Sequence, residues 1–559
     1  SFIKITQTSG DNVRLDYLAL TCDQPKALPD LSSASIPVPE LLYHITNQDH
    51  HADAPVDMVI IIPTTQKWLS EAERIKTHHE TKDGLRVRIV PADELYNEFS
   101  SGTPDANAYR RYLKMFYDKA ETEADMPRYL LLFGDGAWDN RMLISDWRNC
   151  NPDDFLLCYE SENSFSEVSC YVSDDYFCLL DDEEEIQQTS GSSTYDLGKP
   201  DVAVGRFPAR TLEEAKTLVD KTIGYANNEY AGPWQNTLMF MGDDGNNNAH
   251  MKPADKIATA LQEDYPAFNI KKVYWDAYAR QSSSTGNSYP DATNLIKSQM
   301  AEGALMMNYC GHGISYALSH EFVLRIADFE EATSQRLPLW VTASCDIMAF
   351  DGQEENIGET AVLNKKGGAV AFFGTTRTVY ANYNELINLG FSQYVLGSTN
   401  GVRNTIGESV RMTKCDLVEF RKDVTPNELQ STLLGDPALV LAAPTQSIVI
   451  DNINGMPLNE ASTVRLPAGS IAKVTGHVLN GQTLDEAFNG TITASVRDAE
   501  ETIVCRLNDE SEADVPFTFI DRTKTLYNGS DSIRNGTFTL TFAVPKDISY
   551  TDGTGLMTL

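Results

Sequence analysis

The sequence predicts an α/β protein with a mostly parallel central sheet, flanked at both ends by antiparallel β segments. Continuous apolar runs such as 58–62 and 129–133 are typical of strands that are covered on both faces. Helical segments separate these runs, and alternating strands and helices at this spacing indicate a parallel sheet. Segments that alternate apolar and polar residues lie at both ends of the chain and favour half-buried antiparallel strands.

The composition narrows the possible classes of function. The 559 residues include 45 basic and 80 acidic ones, which gives a formal net charge of −35. Binding to nucleic acid needs a basic surface, and unaided binding to anionic lipid needs one too, so both are disfavoured. No apolar run approaches the roughly 20 residues of a membrane span. The length predicts about three or four domains.

Residues 1–54 are predicted to hold the end of an N-terminal β module and a linker. Apolar and polar residues alternate at 3–6 and 13–17, and the segment 25–39 is rich in Pro and Ser. Because the chain begins inside one β-like segment and ends inside another, we expect it to be part of a longer protein.

Residues 55–231 are predicted to form a first α/β subdomain, with strands at 58–64, 87–91, 129–136 and 201–207 and helices at 71–81, 106–120 and 212–225. An insertion at 141–200 has little helical periodicity and carries an acidic cluster, Asp181–Glu185. We interpret the insertion as a solvated loop. The alternative is a structural calcium site, since hard oxygen ligands suit that ion.

Residues 232–444 are predicted to form a second α/β subdomain, with strands at 237–241, 271–275, 304–308, 337–342 and 368–373 and helices at 253–264, 291–301 and 386–396. From residue 445 to 559 short alternating strands return, separated by turns of the Asn-Gly type. This pattern predicts a C-terminal β-sandwich.

The nine cysteines show no metal-ligand spacing, and we expect no metal at the functional site. Cys150, Cys158, Cys170 and Cys178 lie close together in the sequence, and their pairing is left open. Because the number is odd, at least one thiol is free or pairs outside this chain. Cys345 is the candidate for a free thiol.

The strongest candidate site follows two neighbouring strands of the second subdomain. The run 304–308 leads into Gly311-His312-Gly313, and the run 337–342 leads into Ala343-Ser344-Cys345. In an open parallel sheet ligands bind beyond the carboxyl ends of the strands, so His312 and Cys345 are expected at the same edge. A thiol beside an imidazole is the minimal set of groups for an activated nucleophile.

In this interpretation Cys345 attacks a carbonyl carbon and His312 accepts the thiol proton. The backbone N–H groups of Gly313 and Cys345 are the predicted oxyanion donors. The alternative is that Cys345 is a packed small hydrophobe and His312 is structural. Cys310 is a second thiol, expected to pack inside the sheet.

A third group usually orients the imidazole of such a pair. The best candidate is Asp244, which follows the first strand of this subdomain; the alternative is a turn or helix-capping role. Gly311, Asp243, His250 and Met251 are predicted to line the cleft.

This ordered set of motifs resembles the gingipain family of cysteine peptidases. The segments 309–313 and 343–345 carry the resemblance, together with Leu131–Gly136, Val204–Arg210 and Leu434–Ala438. It covers roughly residues 55–445 and implies a caspase-like fold of two subdomains followed by an immunoglobulin-like sandwich. It also implies that His312 and Cys345 are the catalytic pair, with Asp244 near the place of an acidic helper.

Within the family the chain most resembles the sortases of the type IX secretion system of Bacteroidetes, in its flanking β modules and in the segments Asn97–Gly102 and Val544–Tyr550. The resemblance implies an enzyme at the outer membrane, on the cell surface, that needs no cofactor. Its expected partners are secreted cargo proteins with C-terminal sorting domains, anionic lipopolysaccharide as acceptor of the cargo, and other proteins of the attachment complex.

Arg-specific gingipains carry an acidic pocket residue shortly before the helix that is predicted here from 253. This chain has His250, Met251 and Lys252 at that place, so we do not expect Arg specificity. Two alternatives to the sortase interpretation remain at this point. One is a plain hydrolytic peptidase, and the other is a non-catalytic surface scaffold or adhesin.

Overall fold

The first half of the α/β region forms four parallel strands with helices between them. The computed structural model describes residues 48–161, 170–182, 184, 186, 198–284, 286–420, 422, 427–458, 464–549 and 553–559. The strands are β1 (Met58–Ile62), β2 (Val87–Pro91), β3 (Tyr129–Phe133) and β4 (Ala203–Phe207), and the helices are α1 (Leu69–Lys82), α2 (Ala92–Phe99), α3 (Asn107–Lys119) and α4 (Leu212–Ala226). Alternate residues of β1 pack into two different hydrophobic clusters, one on each face of the sheet. This explains why the strand is apolar at every position.

The second half repeats this arrangement with longer connections. Its strands are β5 (Thr237–Gly242), β6 (Asn269–Tyr274), β7 (Gln281–Ser283), β8 (Gly286–Ser288), β9 (Met306–Cys310), β10 (Gly313–Ile314), β11 (Ala317–Leu318), β12 (Leu324–Arg325), β13 (Leu339–Ala343), β14 (Ala371–Thr375), β15 (Ser398–Thr399), β16 (Val402–Arg403) and β17 (Ser431–Leu434). Its helices are α5 (Met251–Asp264), α6 (Pro290–Glu302), α7 (Ile326–Glu330), α8 (Ile357–Leu363), α9 (Ala381–Leu396) and α10 (Ile406–Glu419). The predicted order of strands and helices is therefore present, with ends shifted by a few residues.

The two halves share one ten-stranded sheet, in the order β2-β1-β3-β4-β17-β14-β13-β9-β5-β6. Strand β17 joins them: it is antiparallel to β14 and pairs with β4 through Leu434 and Arg206. The sequence patterns predict two parallel-sheet subdomains and do not reveal this strand. At four residues β17 is too short to show a period, and its partners lie far away in the sequence.

Two of the motifs quoted above form buried ion pairs beside this junction. The Arg206 guanidinium donates to the Asp174 carboxylate, at 2.7 and 2.9 Å, and both side chains are almost fully buried. Arg210 pairs with Asp135, which has no exposed surface. Removing one member of such a pair leaves an uncompensated buried charge, so these pairs stabilise the fold.

The C-terminal region is antiparallel β structure, as predicted. Its strands are β18 (Ser447–Ile453), β19 (Met456–Pro457), β20 (Ile471–Asn480), β21 (Thr483–Leu484), β22 (Gly490–Arg497), β23 (Glu501–Val504), β24 (Thr518–Asp521), β25 (Thr525–Arg534), β26 (Thr537–Ala543) and β27 (Leu556–Thr558). Eight of them form one sheet around a separate core cluster, and β23 and β24 form a two-stranded hairpin of their own. Residues 49–559 are one compact unit, whereas the predicted N-terminal β module lies outside the described residues up to position 47.

The four clustered cysteines, left open above, are all free thiols, as are the other described cysteines. In the acidic insertion Asp181 accepts a hydrogen bond from Tyr117, while positions 183 and 185 lie outside the described residues. Across the described ranges, no helix combines the length and the apolar character that a bilayer span requires.

Candidate active site

Cys345 lies in the tight turn that follows β13. The next residue, Asp346, has a positive φ of 48°, and its N–H donates to the Arg377 carbonyl at 3.2 Å. The Cys345 side chain is half-buried, and its Sγ lies 3.5 Å from both the N and the O of Val379. Burial raises the pKa of the Cys345 thiol, although the N–H of Val379 opposes this. The thiol is therefore protonated at neutral pH, and it needs a base to become a nucleophile.

His312 lies at the end of the neighbouring strand β9, and its backbone is held from two sides. Its N–H donates to the Asp243 carboxylate at 3.0 Å, and its carbonyl accepts from the Tyr309 hydroxyl at 2.7 Å and from the Ser319 N–H at 2.8 Å. These bonds determine where the imidazole leaves the turn.

The His312 ring contacts three polar side chains. Its Nε2 lies 2.5 Å from the amide nitrogen of Asn246 and 3.4 Å from Nε2 of His250, and the ring of His320 stacks on it at 4.6 Å. Burial lowers the pKa of His312, and the neighbouring His320 lowers it further. The ring is therefore neutral at neutral pH, as an acceptor of the thiol proton must be.

The turns that carry His312 and Cys345 pack directly against each other. Strands β9 and β13 are parallel neighbours in which Cys310 is opposite Ala343, so both site residues follow at the same height. A Cβ placed on Gly313 would lie 2.9 Å from the Ser344 Oγ, which shows how closely the two turns approach. The structure thus places the turns that carry His312, Gly313 and Cys345 side by side. No hydrogen bond joins the thiol to the ring, as is common before substrate binds.

The predicted third residue, Asp244, has another partner. It reaches the same edge of the sheet, but its Oδ2 accepts a hydrogen bond from the Tyr289 hydroxyl at 2.5 Å, and no bond joins it to the His312 ring. Burial raises the pKa of Asp244 to about 6, and nearby Glu321 adds to this. An orienting contact between Asp244 and His312 is therefore absent from this state of the site.

The residues predicted to line the cleft separate into three groups. His250 contacts the His312 ring edge-on, with centroids 4.7 Å apart. Gly311 and Asp243 are buried beneath the turn, where Asp243 holds the His312 backbone. The prediction for Met251 is wrong, because its side chain is fully buried in the core under α5. Met251 is the first residue of α5 and lies on the apolar face of this amphipathic helix, which packs on the sheet. The predicted helix began only at residue 253, so Met251 was assigned to the loop before it.

A cluster of three carboxyl side chains beside the site has the spacing of a metal site. Asp243, Asp244 and Glu321 each place an oxygen within 4.8 Å of the others. Burial raises the pKa of Asp243 well above its usual range, and the charge of Asp244 raises it further. The raised pKa favours the protonated form of Asp243, which removes one buried negative charge from the cluster.

Sequence reasoning missed Asn246, whose amide makes the short contact with the ring. The signal was present as Gly245 followed by three asparagines, directly after the first strand of the subdomain. Asn246, Asn247 and Asn248 all have positive φ, at 46°, 55° and 64°. Asparagine tolerates this left-handed region better than most residues, and consecutive strained positions are typical of functional sites.

The fold and this site are those of a cysteine peptidase. The family model for peptidase family C25 matches residues 51–442, and the chain belongs to that family. This confirms the resemblance to gingipains, which was read from motifs in the same part of the chain. An uncharacterized protein from Archaeoglobus fulgidus is 22% identical over 349 residues, which cover 58% of this chain and 76% of that protein.

Several solved structures are similar to the chain, among them PorU and gingipain R. Dimeric latent PorU from Porphyromonas gingivalis is 27% identical, with a TM-score of 0.46, over 94% of this chain and 43% of the PorU chain. This chain therefore spans less than half of PorU. The Arg-specific cysteine proteinase gingipain R is 17% identical, with a TM-score of 0.52, over 90% of this chain and 94% of that one. The likeness to gingipain R concerns the fold.

Proposed function

We propose that the protein is a cysteine endopeptidase that acts as a sortase on secreted cargo. It removes the C-terminal sorting domain of type IX cargo and transfers the cargo to an amine. The observation that carries the peptidase part is a half-buried thiol and a neutral imidazole at the ends of adjacent parallel strands, in a member of peptidase family C25. The sequence resemblance in 97–102 and 544–550 supports the transfer part.

In the proposed mechanism His312 takes the proton from the Cys345 Sγ, and the thiolate attacks the scissile carbonyl. The N–H groups of Gly313 and Cys345 stabilise the resulting oxyanion. His312 then gives its proton to the leaving amine, and a thioester forms on Cys345. The acceptor amine attacks this thioester, loses a proton to His312, and the Cys345 thiolate leaves and is reprotonated. Asp244 takes no direct part in the reaction, because its carboxylate accepts a hydrogen bond from the Tyr289 hydroxyl.

The region before α5 supports a specificity that differs from that of Arg-specific gingipains. His250 packs on the catalytic ring, Met251 is in the core, and the Lys252 ammonium donates to the Asn247 carbonyl at 3.0 Å. None of the three supplies a carboxylate for an arginine side chain. We therefore propose a cleavage junction with a less basic residue before the scissile bond.

We further propose that the acceptor is anionic lipopolysaccharide and that the enzyme works at the outer membrane, facing the cell surface, with other attachment-complex proteins. The chemistry above needs only the thiol, the imidazole and backbone donors, so no cofactor is included. A structural calcium ion in the insertion at 141–200 stays a prediction.

The test is mass spectrometry of a sorting-domain substrate incubated with the protein, with and without a small primary amine. We expect an amine adduct at the cleavage site with the wild-type protein and no product with Cys345→Ala. Cys310→Ser is the matched control, because that thiol ends the adjacent strand but is buried against Asn388.

Hydrolysis alone, with no adduct at any amine concentration, would favour the hydrolytic peptidase. Equal inactivity of the wild type and Cys345→Ala on all cargo, without labelling of Cys345 by a peptide electrophile, would favour the scaffold or adhesin.

A further inference from the structure

We infer that Asn246 is the positioning residue of His312, through the hydrogen bond between its side-chain amide and Nε2 of the ring. This inference rests on the proposed role of His312 as the base. It gives the third position of the site to an amide rather than to the carboxylate of Asp244.

Among the polar side chains that contact the His312 ring, Asn246 is the closest. The Asn246 amide lies 2.5 Å from Nε2, whereas Nε2 of His250 lies 3.4 Å away. His320 only stacks on the ring face, and Asp243 holds the His312 backbone instead of the ring. This amide is therefore the group that orients His312, and its own orientation decides the tautomer of the ring.

The chemistry of the step requires the amide oxygen to face the ring, in place of the amide nitrogen that lies 2.5 Å from Nε2. The oxygen and nitrogen of a side-chain amide have nearly the same shape, and the hydrogen-bond network decides between the two orientations. With Oδ1 of Asn246 toward His312, Nε2 carries the proton and donates it to that oxygen. The lone pair of Nδ1 is then free to accept the Cys345 proton, and the oxygen stabilises the imidazolium that forms.

The backbone of the turn is held in an unusual conformation by the C-terminal region. Asn246 is the first of three residues with positive φ, and such residues persist only where the surroundings hold them. The Asn247 N–H donates to the Glu512 carbonyl at 2.8 Å, and the Asn248 amide donates to the Val515 carbonyl at 3.0 Å. The connection between β23 and β24, residues 505–517, therefore supports the turn that carries Asn246.

That connection is itself fastened to the catalytic half. The buried Asp276 carboxylate accepts from the N–H groups of Leu507 and Asn508, both at 2.8 Å, and Arg280 pairs with Asp509 at 3.0 Å. The connection at 505–517 thus joins the β region to the His312 site through hydrogen bonds at both ends.

The first test compares Asn246→Gly with Asn247→Gly in the full chain. Glycine adopts positive φ without strain, so both variants keep the turn and remove one amide. The readout is the rate at which iodoacetamide alkylates Cys345, followed in the peptide that contains it. At pH 7 we expect Asn246→Gly to lower this rate about tenfold, because the base is misplaced, and Asn247→Gly to change it less than about twofold. Equal rates in the wild type and Asn246→Gly would overturn the inference.

A second comparison uses the pH profile of alkylation. Besides the thiol, the titratable groups around His312 are the rings of His250 and His320 and the carboxyls of Asp243, Asp244, Glu321 and Glu512. All of them remain in every variant, so a difference between two variants reports the substituted position.

The acidic limb of the profile reports protonation of His312, because only the neutral ring accepts the thiol proton. Asn246→Asp places a carboxylate on Nε2, which should move this limb upward by about one pH unit. Asn247→Asp adds the same charge toward Asp514 and should move it less than about a third as far. Equal shifts in both variants, or none in either, would mean that the Asn246 contact is only structural.

His312→Ala separates a failure of this inference from a failure of the proposed function. If His312→Ala keeps the wild-type alkylation profile, His312 is not the base and the proposed function fails as well. If His312→Ala loses reactivity while Asn246→Gly retains it, the proposed function stands and the role of Asn246 is rejected.

Discussion

The buried pair of His79 and Asp436 offers a sharp test of how a family motif stabilises the fold. His79 lies on α1, and Asp436 belongs to the Leu434–Ala438 motif directly after β17. Nε2 of His79 lies 2.8 Å from the Asp436 carboxylate, and the two side chains are 1% and 0% exposed. Nδ1 of His79 lies 2.7 Å from Asp83. The pair ties a helix of the first half to the strand that joins the halves.

Two independent estimates give the contribution of this pair to the free energy of unfolding. Burial by itself lowers the pKa of His79, but the Asp436 and Asp83 carboxylates outweigh it and raise the pKa from 6.5 to about 10. At about 1.4 kcal/mol for each pKa unit, this shift is worth on the order of 4–5 kcal/mol. Removing one partner of a buried ion pair costs about 3–5 kcal/mol. Because glutamine retains one hydrogen bond, we expect His79→Gln to lower the free energy of unfolding by about 3 kcal/mol at pH 6.

The sign of the pH dependence follows from the raised pKa. Folded His79 binds a proton more tightly than unfolded His79, so its stabilising contribution is complete below pH 6.5. The contribution falls as the pH rises and is lost once the pH passes about 10. The difference between wild type and His79→Gln should therefore shrink between these two values.

The assay is urea unfolding of both proteins at pH 6, 8 and 10, followed by tryptophan fluorescence. His78→Gln is the matched control, because His78 is the half-buried neighbour on α1 and burial lowers its pKa. We expect His78→Gln to cost less than about 1 kcal/mol at each pH. A cost for His79→Gln that does not change with pH, or that equals the cost for His78→Gln, would refute the reasoning.

Of three further predictions, two concern the site and the third concerns a buried lysine on α4. Gly313→Ala should lower kcat about 100-fold in a peptide cleavage assay. The new Cβ would lie 2.9 Å from the Ser344 Oγ and would displace the turn that carries the N–H of residue 313, a proposed oxyanion donor. Asp244→Asn should lower kcat/KM less than about tenfold, since an amide still binds Tyr289; a loss near 10⁴-fold would instead show that Asp244 orients the catalytic ring. Lys221→Met should lower the free energy of unfolding by about 3 kcal/mol in urea titrations, because Nζ of Lys221 lies 2.8–3.2 Å from four buried or part-buried carbonyls of 361–367, which would lose their donor.

Much of the fold was predictable because its strands are marked locally. Strands such as β1 and β3 are apolar at every position, and each was predicted to begin at its observed first residue. Strand β17 was missed, since four residues carry no period and its pairing with β4 and β14 joins distant parts of the chain. The same missing strand explains why two predicted subdomains form one sheet.

In the candidate site, too, one part was predictable from the sequence and another was not. The placement of His312 and Cys345 followed from the rule that parallel strands present their carboxyl ends at one edge of the sheet. The partner of the ring did not follow, because Asp244 and Asn246 lie two residues apart on one turn. Only the three-dimensional course of that turn decides which side chain reaches Nε2 and which reaches Tyr289.

The sequence by itself thus determined the alternation of strands and helices, the family motifs, and the thiol and imidazole at neighbouring strand ends. Tertiary structure alone decided the junction at β17, the buried position of Met251, and the contact of Asn246 with His312. The physical reason is that apolar periods and turn residues act over a few neighbouring positions. The partner of a side chain depends on packing between segments such as 246–248 and 505–517, which lie more than two hundred residues apart.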